Sequence, residues 1–469
     1  MLPIFALLLL FADEAPETID QALKRFVQVF AAVKANSADP ISPQQAIFEG
    51  AIPGMLRKLD PHSVFLDTDH FEQLKDMEKS TRKGFGSIVS LLPGRVIVLQ
   101  TLPGTPSARS GLSPGDEIVA INGIALDRLE VEQLVQLLTE ARQHQVRIDV
   151  RRQGNARLLP LMLTPEDVEA AAVDRAYFLK PLIGYVRVTS FESETGQQIR
   201  DAIEKLGGPA LKGLVLDLRN NPGGVLGAAV DSASLFLPPG STIVSVRGRS
   251  VKGDTATVPE GAKPYTFPMA VLINGKSASA SEIVAGALED LKRATIIGEQ
   301  SYGKGLVQSV FNMSQGTGMA LTTAYYYTPA GRSIQRPLQG QLEKATAAGL
   351  GGIRPDIVVR PEAMTRLRGF LDANAIFTTF GTEWIQRTKP RITPEWELAN
   401  PMMDEFQSWL SERNIRPGLG EWSVDREWIR NRLHQEIFNL TLGVAQGDEV
   451  EARRDPVIRA ALDAITTKQ

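Results

Sequence analysis

At 469 residues the chain has room for about three domains, and its hydrophobic content of 43% and charged content of 22% are those of an ordinary globular protein. A net charge of −3 offers no basic footprint for nucleic acid. The absence of cysteine excludes disulfides, thiolate catalysis and cysteine-held metals, and the four histidines, His62, His70, His144 and His434, fall in no metal-ligand spacing. No metal or cofactor is expected.

The apolar run at residues 2–12, LPIFALLLLFA, is too short to span a bilayer and suits the core of a signal peptide. Ala12 is the small residue before a cleavage point, although no positive charge precedes the run. Residues 1–14 are read as an export signal. That places the working chain in the periplasm or outside the cell, with membrane association as a variant of that reading. A buried N-terminal strand or helix is the competing reading. Residues 15–82 are predicted helical, because Ile19, Ala22, Leu23, Phe26, Val29 and Phe30 recur at helical spacing. Ser42 is a cap and Pro43 a first helical residue for a second helix through Leu59. His62, in the stretch DPHS, is an alternative catalytic base but is read as structural.

Residues 83–168 form a β-rich unit. Gly84-Phe85-Gly86-Ser87-Ile88 turns into a strand, and Val96–Leu99, Glu117–Ile121 and Val146–Arg151 read as further strands. Small residues in PGTPSARSGL mark a short helix, and Leu129–Arg142 an amphipathic one. The stretch SGLSPGDEIVAING resembles a PDZ domain. Such domains add an extended peptide to a sheet edge and hold its terminal carboxylate in a nest of backbone N–H groups. The resemblance assigns that nest to Gly84, Phe85, Gly86, Ser87 and Ile88. A β-rich domain without a ligand is the alternative.

Residues 169–360 alternate strand and helix, which predicts a layered α/β core. Ile183–Val188, Leu211–Leu218, Met269–Asn274 and Ala294–Gly298 read as strands. Glu194–Leu206, Ala228–Leu237 and Ile283–Leu291 read as helices. DLRNNPGGVLG puts Gly223-Gly224 at a strand-to-helix turn, where backbone N–H groups can face an anion. The turn lacks G-x-G-x-x-G and G-x-x-x-x-G-K-[ST], so it is a weak match to a phosphate site.

The most informative stretch runs from Asn274 to Gln308. SASAS, residues 277–281, brings small side chains to a helix N-terminus, where orphan N–H donors and a partial positive charge gather. A serine there sits beside a ready oxyanion site, but its hydroxyl needs a neighbouring base. Lys304, between Gly303 and Gly305, is a candidate. A lysine serves as base only when neutral, which calls for a buried setting. Taken alone, the same residues fit equally a serine-rich helix cap and a surface lysine in a glycine turn.

NGKSASASEIVAGAL followed by GEQSYGKGLVQ resembles the signature of the carboxy-terminal processing, or tail-specific, proteases, which are serine endopeptidases with a Ser-Lys dyad. The resemblance implies Ser279 as nucleophile, Lys304 as general base and Gln308 as support for the lysine. It places oxyanion donors at Gly224, with Gly223 second, and at Ala280. It implies a Clp-protease/crotonase-like α/β core with the PDZ domain inserted, and protein or peptide substrates with free C-termini. Lys276 stands where a glycine is more usual, which leaves the dyad intact. GRSIQRPL and GIRPDIVV, at 331–338 and 352–359, resemble further family segments that complete the core. The other readings are an inactive PDZ scaffold on a protease-like core and a crotonase-like acyl-CoA enzyme.

Residues 361–469 read as helical, with periods around Ala375–Phe380, Met402–Glu412 and Asp425–Leu442. Trp422, Trp428, Ile429, Leu433, Ile437 and Phe438 make an apolar stripe that is core in character. A long helical tail is expected to pack on the N-terminal helices or on a second copy in a homodimer. No repeats or low-complexity segments appear.

Overall fold

A computed structural model describes residues 18–72, 83–92, 94–102, 104–152, 155, 157–167, 172–250, 253–337, 351–360 and 362–467. The export signal read at 1–14 lies outside the described residues. The chain divides into two compact units, one of residues 1–78 and 308–323, the other of 79–307 and 324–469.

In the first unit Thr18 opens the helix Ile19–Asn36 with a reciprocal cap. Thr18 Oγ1 accepts the Gln21 N–H, and Gln21 Oε1 accepts the Thr18 N–H. No residue of this helix is buried. Ser42 and Gln45 cap the next helix in the same way. Its first turns are π-helical over Gln44–Ala51 before Ile52–Leu59 continues as α-helix. The helical expectation then fails. Asp60 accepts the His62 and Ser63 N–H groups and turns the chain, and Val64–Leu66 pairs antiparallel with residues 318–320. That partner is some 250 residues away in sequence, so local periodicity could not show it. Gly318 is required there, because a Cβ would lie 2.3 Å from the buried Phe71 ring.

The second unit begins with an antiparallel sheet in the order Ser87–Leu92, Arg95–Thr101, Glu117–Ile121, Val146–Arg151, Leu159–Leu163. The helix Val131–Ala141 belongs to this sheet's unit, and Leu134 and Ala141 sit in the core cluster with the strand residues. Val146, Ile148 and Val150 point into that core while Arg147 and Arg151 face water, the alternation of a half-buried strand.

The larger sheet runs Val173–Lys180, Ile183–Val188, Gly213–Asp217, Met269–Ile273, Thr295–Gly298, Ile357–Val358. The first pair is antiparallel and the rest are parallel. Both faces are covered, which is why Gly213–Asp217 and Met269–Ile273 are buried at every residue. The helices Thr195–Lys205, Leu226–Ser234 and Ala280–Asp290 pack on one face. The helix Pro456–Thr467 packs on the other through Val457, Ile458, Ala461 and Ile465. The last helix of the tail therefore completes the sheet, a placement the tail's own periodicity did not contain. The helices Ile376–Thr388, Asn400–Glu412 and Leu419–Thr441 build a separate core around Phe377, Phe380, Phe406 and Trp409. Trp422, Ile429, Leu433 and Ile437 join it, as their stripe predicted.

Candidate active site

The strands Gly213–Asp217 and Met269–Ile273 are parallel neighbours, with Asp217 opposite Leu272. The turns after their C-terminal ends therefore meet, at the edge where open parallel sheets carry their sites. Asn221 joins the two turns. Its carbonyl accepts the Ala278 N–H and the Ser281 hydroxyl, each at 3.0 Å, and its side-chain amide donates to the Val188 carbonyl. Asn220 and Asn274 add a reciprocal pair, because each donates to the other's Oδ1 at 3.0 Å.

The three serines of SASAS have different fates. Ser277 is wholly buried and its hydroxyl donates to the Leu218 carbonyl at 2.8 Å. Ser281 is wholly buried and bound to Asn221. Ser279 is half-buried and opens the helix Ala280–Asp290. Its backbone sits at φ 55° and ψ −114°, a region that disfavours any side chain and costs about 1–3 kcal/mol. The surroundings must impose that conformation.

Glu282 is the principal restraint. It is fully buried, three residues into the helix, and accepts four hydrogen bonds. Oε2 takes the N–H groups of Ser279 and Lys304, each at 2.8 Å, and Oε1 takes the Gly303 N–H at 2.6 Å and the Ser301 hydroxyl. The Ser279 and Lys304 nitrogens thus share one oxygen and lie no more than twice that bond length apart. Burial pushes the Glu282 carboxyl upward in pKa, and the four donors pull against it by favouring the carboxylate.

Lys304 is half-buried, less enclosed than the expected base, and among the described residues its ammonium has no hydrogen-bond or ion-pair partner. Its flanking glycines are required by close backbone approach. A Cβ at Gly305 would lie 2.4 Å from the Gln335 nitrogen, and one at Gly303 2.8 Å from the Arg336 Cβ. Gln308 is exposed, and its amide donates to the His62 carbonyl at 2.9 Å.

Gly223 has φ 100°, and a Cβ there would come within 2.8 Å of the Ser279 Cβ and 2.9 Å of the Ala280 nitrogen. Gly224 has φ 151°, and a Cβ there would strike the Phe191 carbonyl at 2.0 Å. The Gly223 N–H donates to Asn221 Oδ1. Among the described residues the Gly224 and Ala280 N–H groups have no acceptor. Two N–H donors without an acceptor among the described residues therefore flank the serine.

Behind this turn runs a buried chain of charge. The Tyr185 hydroxyl donates to Asp217 Oδ2 at 2.7 Å, the Arg219 guanidinium grips the same carboxylate, and Arg219 Nη1 reaches Asp455 Oδ2 at 2.6 Å. Burial and the Asp217 charge hold the Tyr185 phenol protonated. Glu282, Asn221 and the Asp217–Arg219–Asp455 chain were absent from the sequence reading. Ser279-x-x-Glu282 does fit a capping-box pattern, which foretells the bond back to Ser279 and none of the other three.

In the β-rich unit, Gly84 pairs with Glu166 across a short ladder. The Phe85 carbonyl accepts the Ser107 N–H, and the Gly86 carbonyl accepts the Leu102 N–H, each at 2.8 Å. Gly86 has φ 72°, and a Cβ there would overlap Thr105 at 2.2 Å. Ser87 and Ile88 begin the strand. Among the described residues the Phe85 and Gly86 N–H groups have no acceptor. No group of three or more potential metal ligands occurs among the described residues.

The model of peptidase family S41 matches residues 182–359, and that of the PDZ domain matches residues 97–152. A carboxy-terminal-processing protease of Bartonella bacilliformis is 36% identical over 354 residues, covering 74% of this chain and 77% of that protein. The chloroplastic carboxyl-terminal-processing peptidase 2 of Arabidopsis thaliana is 34% identical, covering 61% of this chain and 58% of that one. Among solved structures, a photosystem II D1 C-terminal processing protease is 27% identical with a TM-score of 0.44, covering 77% of this chain and 97% of that chain.

Proposed function

Because the chain belongs to the carboxy-terminal processing proteases of peptidase family S41, and is thus a serine-type peptidase with a PDZ domain, we propose that Ser279 is its nucleophile and Lys304 its general base. The observation that carries this reading is the contrast within SASAS. Ser277 and Ser281 are buried structural hydroxyls, whereas Ser279 is accessible, strained and flanked by two unpaired N–H donors. Lys304 takes the Ser279 proton as Oγ attacks the scissile carbonyl. The Gly224 and Ala280 N–H groups receive the oxyanion. Collapse expels the amine, which takes the proton from Lys304, and water then hydrolyses the acyl-enzyme with Lys304 again as base. The Phe85 and Gly86 N–H groups hold the C-terminal carboxylate of a protein or peptide substrate. Gln308, through the His62 carbonyl, steadies the strand after Lys304. The readings as an inactive scaffold or an acyl-CoA enzyme have no support in the comparisons.

The apolar run at residues 2–12 supports work in the periplasm or outside the cell, and fractionation with N-terminal sequencing of the mature chain tests that. No described helix is long and apolar enough to cross a membrane.

The test of the chemistry is a pair of variants. Ser279→Ala and Lys304→Arg should each lower kcat by on the order of 10⁴-fold or more with the fold intact by circular dichroism. An arginine cannot give up its proton in a protein. Wild-type cleavage by either variant overturns the assignment.

A further inference from the structure

The turn that carries Gly223 and Gly224 is anchored from behind by a residue of the C-terminal tail. Arg219 stands at the start of that turn, just before Asn220 and Asn221, with its guanidinium between two carboxylates. Nε and Nη2 bind Asp217 at 3.0 and 2.6 Å, and Nη1 binds Asp455 Oδ2 at 2.6 Å. Asp217 is two residues away on the same run of chain, so the distant restraint is Asp455. Asp455 is itself held without help from Arg219. Its Oδ1 accepts the Val457 N–H at 2.8 Å and caps the helix Pro456–Thr467. Val457 and Ile458 then pack on the larger sheet. Asp448, on the preceding helix Val444–Ala452, pairs with Arg175 and Arg187 of that sheet. The Asp455 carboxylate is therefore the fixed partner, and the arginine is what it fixes. The two side chains are only 20% and 17% exposed, so water competes little for the bond.

We propose that Asp455 is a positioning residue for the peptidase reaction, acting through Arg219 to hold the turn that presents the Gly224 N–H. The inference rests on Gly224 as an oxyanion donor, and it extends the working parts of the enzyme beyond residue 359, where the family match ends. Among the described residues Nη1 has no partner besides Asp455. Without that carboxylate the guanidinium rests on Asp217 alone, and the turn gains freedom. An oxyanion gains only from donors fixed beforehand. The loss therefore falls on kcat and spares KM, because the Phe85-Gly86 loop is untouched.

Asp455 also caps its helix, so the substitutions separate the two roles. Serine caps as well as aspartate, but its one oxygen is then taken and none is left for Arg219. Glutamate restores the charge and caps poorly. The probe is a fluorogenic peptide with a free, apolar C-terminus. Asp455→Ser should lower kcat by about tenfold with KM unchanged, and Asp455→Glu should stay within about threefold of the parent kcat. A capping role alone gives the reverse order and overturns the proposal. Ile465→Ala loosens the same helix on the sheet without touching Arg219, and should lower the melting temperature while kcat holds. An equal fall in kcat there would trace the effect to lost stability and overturn the proposal. In an Arg219→Lys background, whose ammonium lacks the fork to hold both carboxylates, Asp455→Ser should cost no further activity. A further loss as large as in the parent would show that Asp455 does not act through Arg219. Gly224→Ala tells this proposal from the reading beneath it. Parent kcat in Asp455→Ser with a slow Gly224→Ala overturns the tail's role alone. Parent kcat in Gly224→Ala overturns the oxyanion assignment and the proposal with it.

Discussion

Two glycine-shaped turns in the same unit present unpaired backbone N–H groups, and they are held in different ways. The turn at Gly223-Gly224 and Ser279-Ala280 is fixed by buried side chains that bridge it to neighbouring segments. Asn221, Glu282 and the Asp217–Arg219–Asp455 chain are all buried or half-buried and all multiply bonded. The loop at Phe85-Gly86 is fixed instead by its own backbone carbonyls, which accept the Leu102 and Ser107 N–H groups and the Thr105 hydroxyl. On the proposed reading the difference follows from what each turn binds. A transient oxyanion gains only from donors positioned beforehand. A peptide C-terminus arrives with a strand of hydrogen bonds and side chains, and a loop held by its own carbonyls suffices.

Substitutions at each turn separate the two roles. Glu282→Gln should have the largest effect. It sets an amide NH₂ among four buried donors, which should cost about 3 kcal/mol of stability in denaturant melts. It should also lower kcat by on the order of 10²–10³-fold through the displaced serine and lysine backbones. Wild-type kcat in this variant would show that the shared carboxylate does not set the site's geometry. Gly224→Ala should come next. Its Cβ would strike the Phe191 carbonyl, so the donor must shift, and kcat should fall by about 10²-fold with little change in KM. Gly86→Ala should do the opposite, raising KM by about tenfold for peptides with a free C-terminus while kcat holds. The same peptides amidated at that end should show the high KM with the parent enzyme and be insensitive to Gly86→Ala. Equal KM for acid and amide would remove the PDZ loop from substrate binding.

The smallest effect lies outside both turns. His434 is buried among Trp396 and Phe438, with Nε2 on the Trp396 carbonyl, and burial lowers its pKa below the ordinary 6.5 despite Glu397 nearby. The folded chain therefore stays neutral there while the unfolded chain takes up a proton below about pH 6.5. Stability is full above that pH and should fall as the pH drops toward the depressed value, by at most about 1.4 kcal/mol per pH unit. His434→Gln should flatten this part of the profile. An unchanged slope would assign it to other groups.

Much of this was legible in the sequence, for identifiable reasons. The buried strands at 213–217 and 269–273, the helix that Ser279 opens and the β-rich unit all carry local signals, namely continuous apolar runs, capping residues and alternation. The residues that make the site rigid do not. Three of the four donors to Glu282 come from 19 to 22 residues away, and Asp455 meets Arg219 across 236 residues. Nothing in a local window records such bonds. Helical periodicity was equally silent about partners. It found both Ile19–Asn36, with nothing buried, and Leu419–Thr441, with a fully formed core face.

The central claim is that Ser279, and neither of its neighbouring serines, is acylated with Lys304 as base. Mass spectrometry can locate the acyl group after trapping with a slowly hydrolysed ester substrate. The added mass is expected on Ser279 in the wild-type chain and is expected to be absent over the same interval in Lys304→Arg. Acylation at any other residue, or labelling of Ser279 in Lys304→Arg at the wild-type rate, would contradict it.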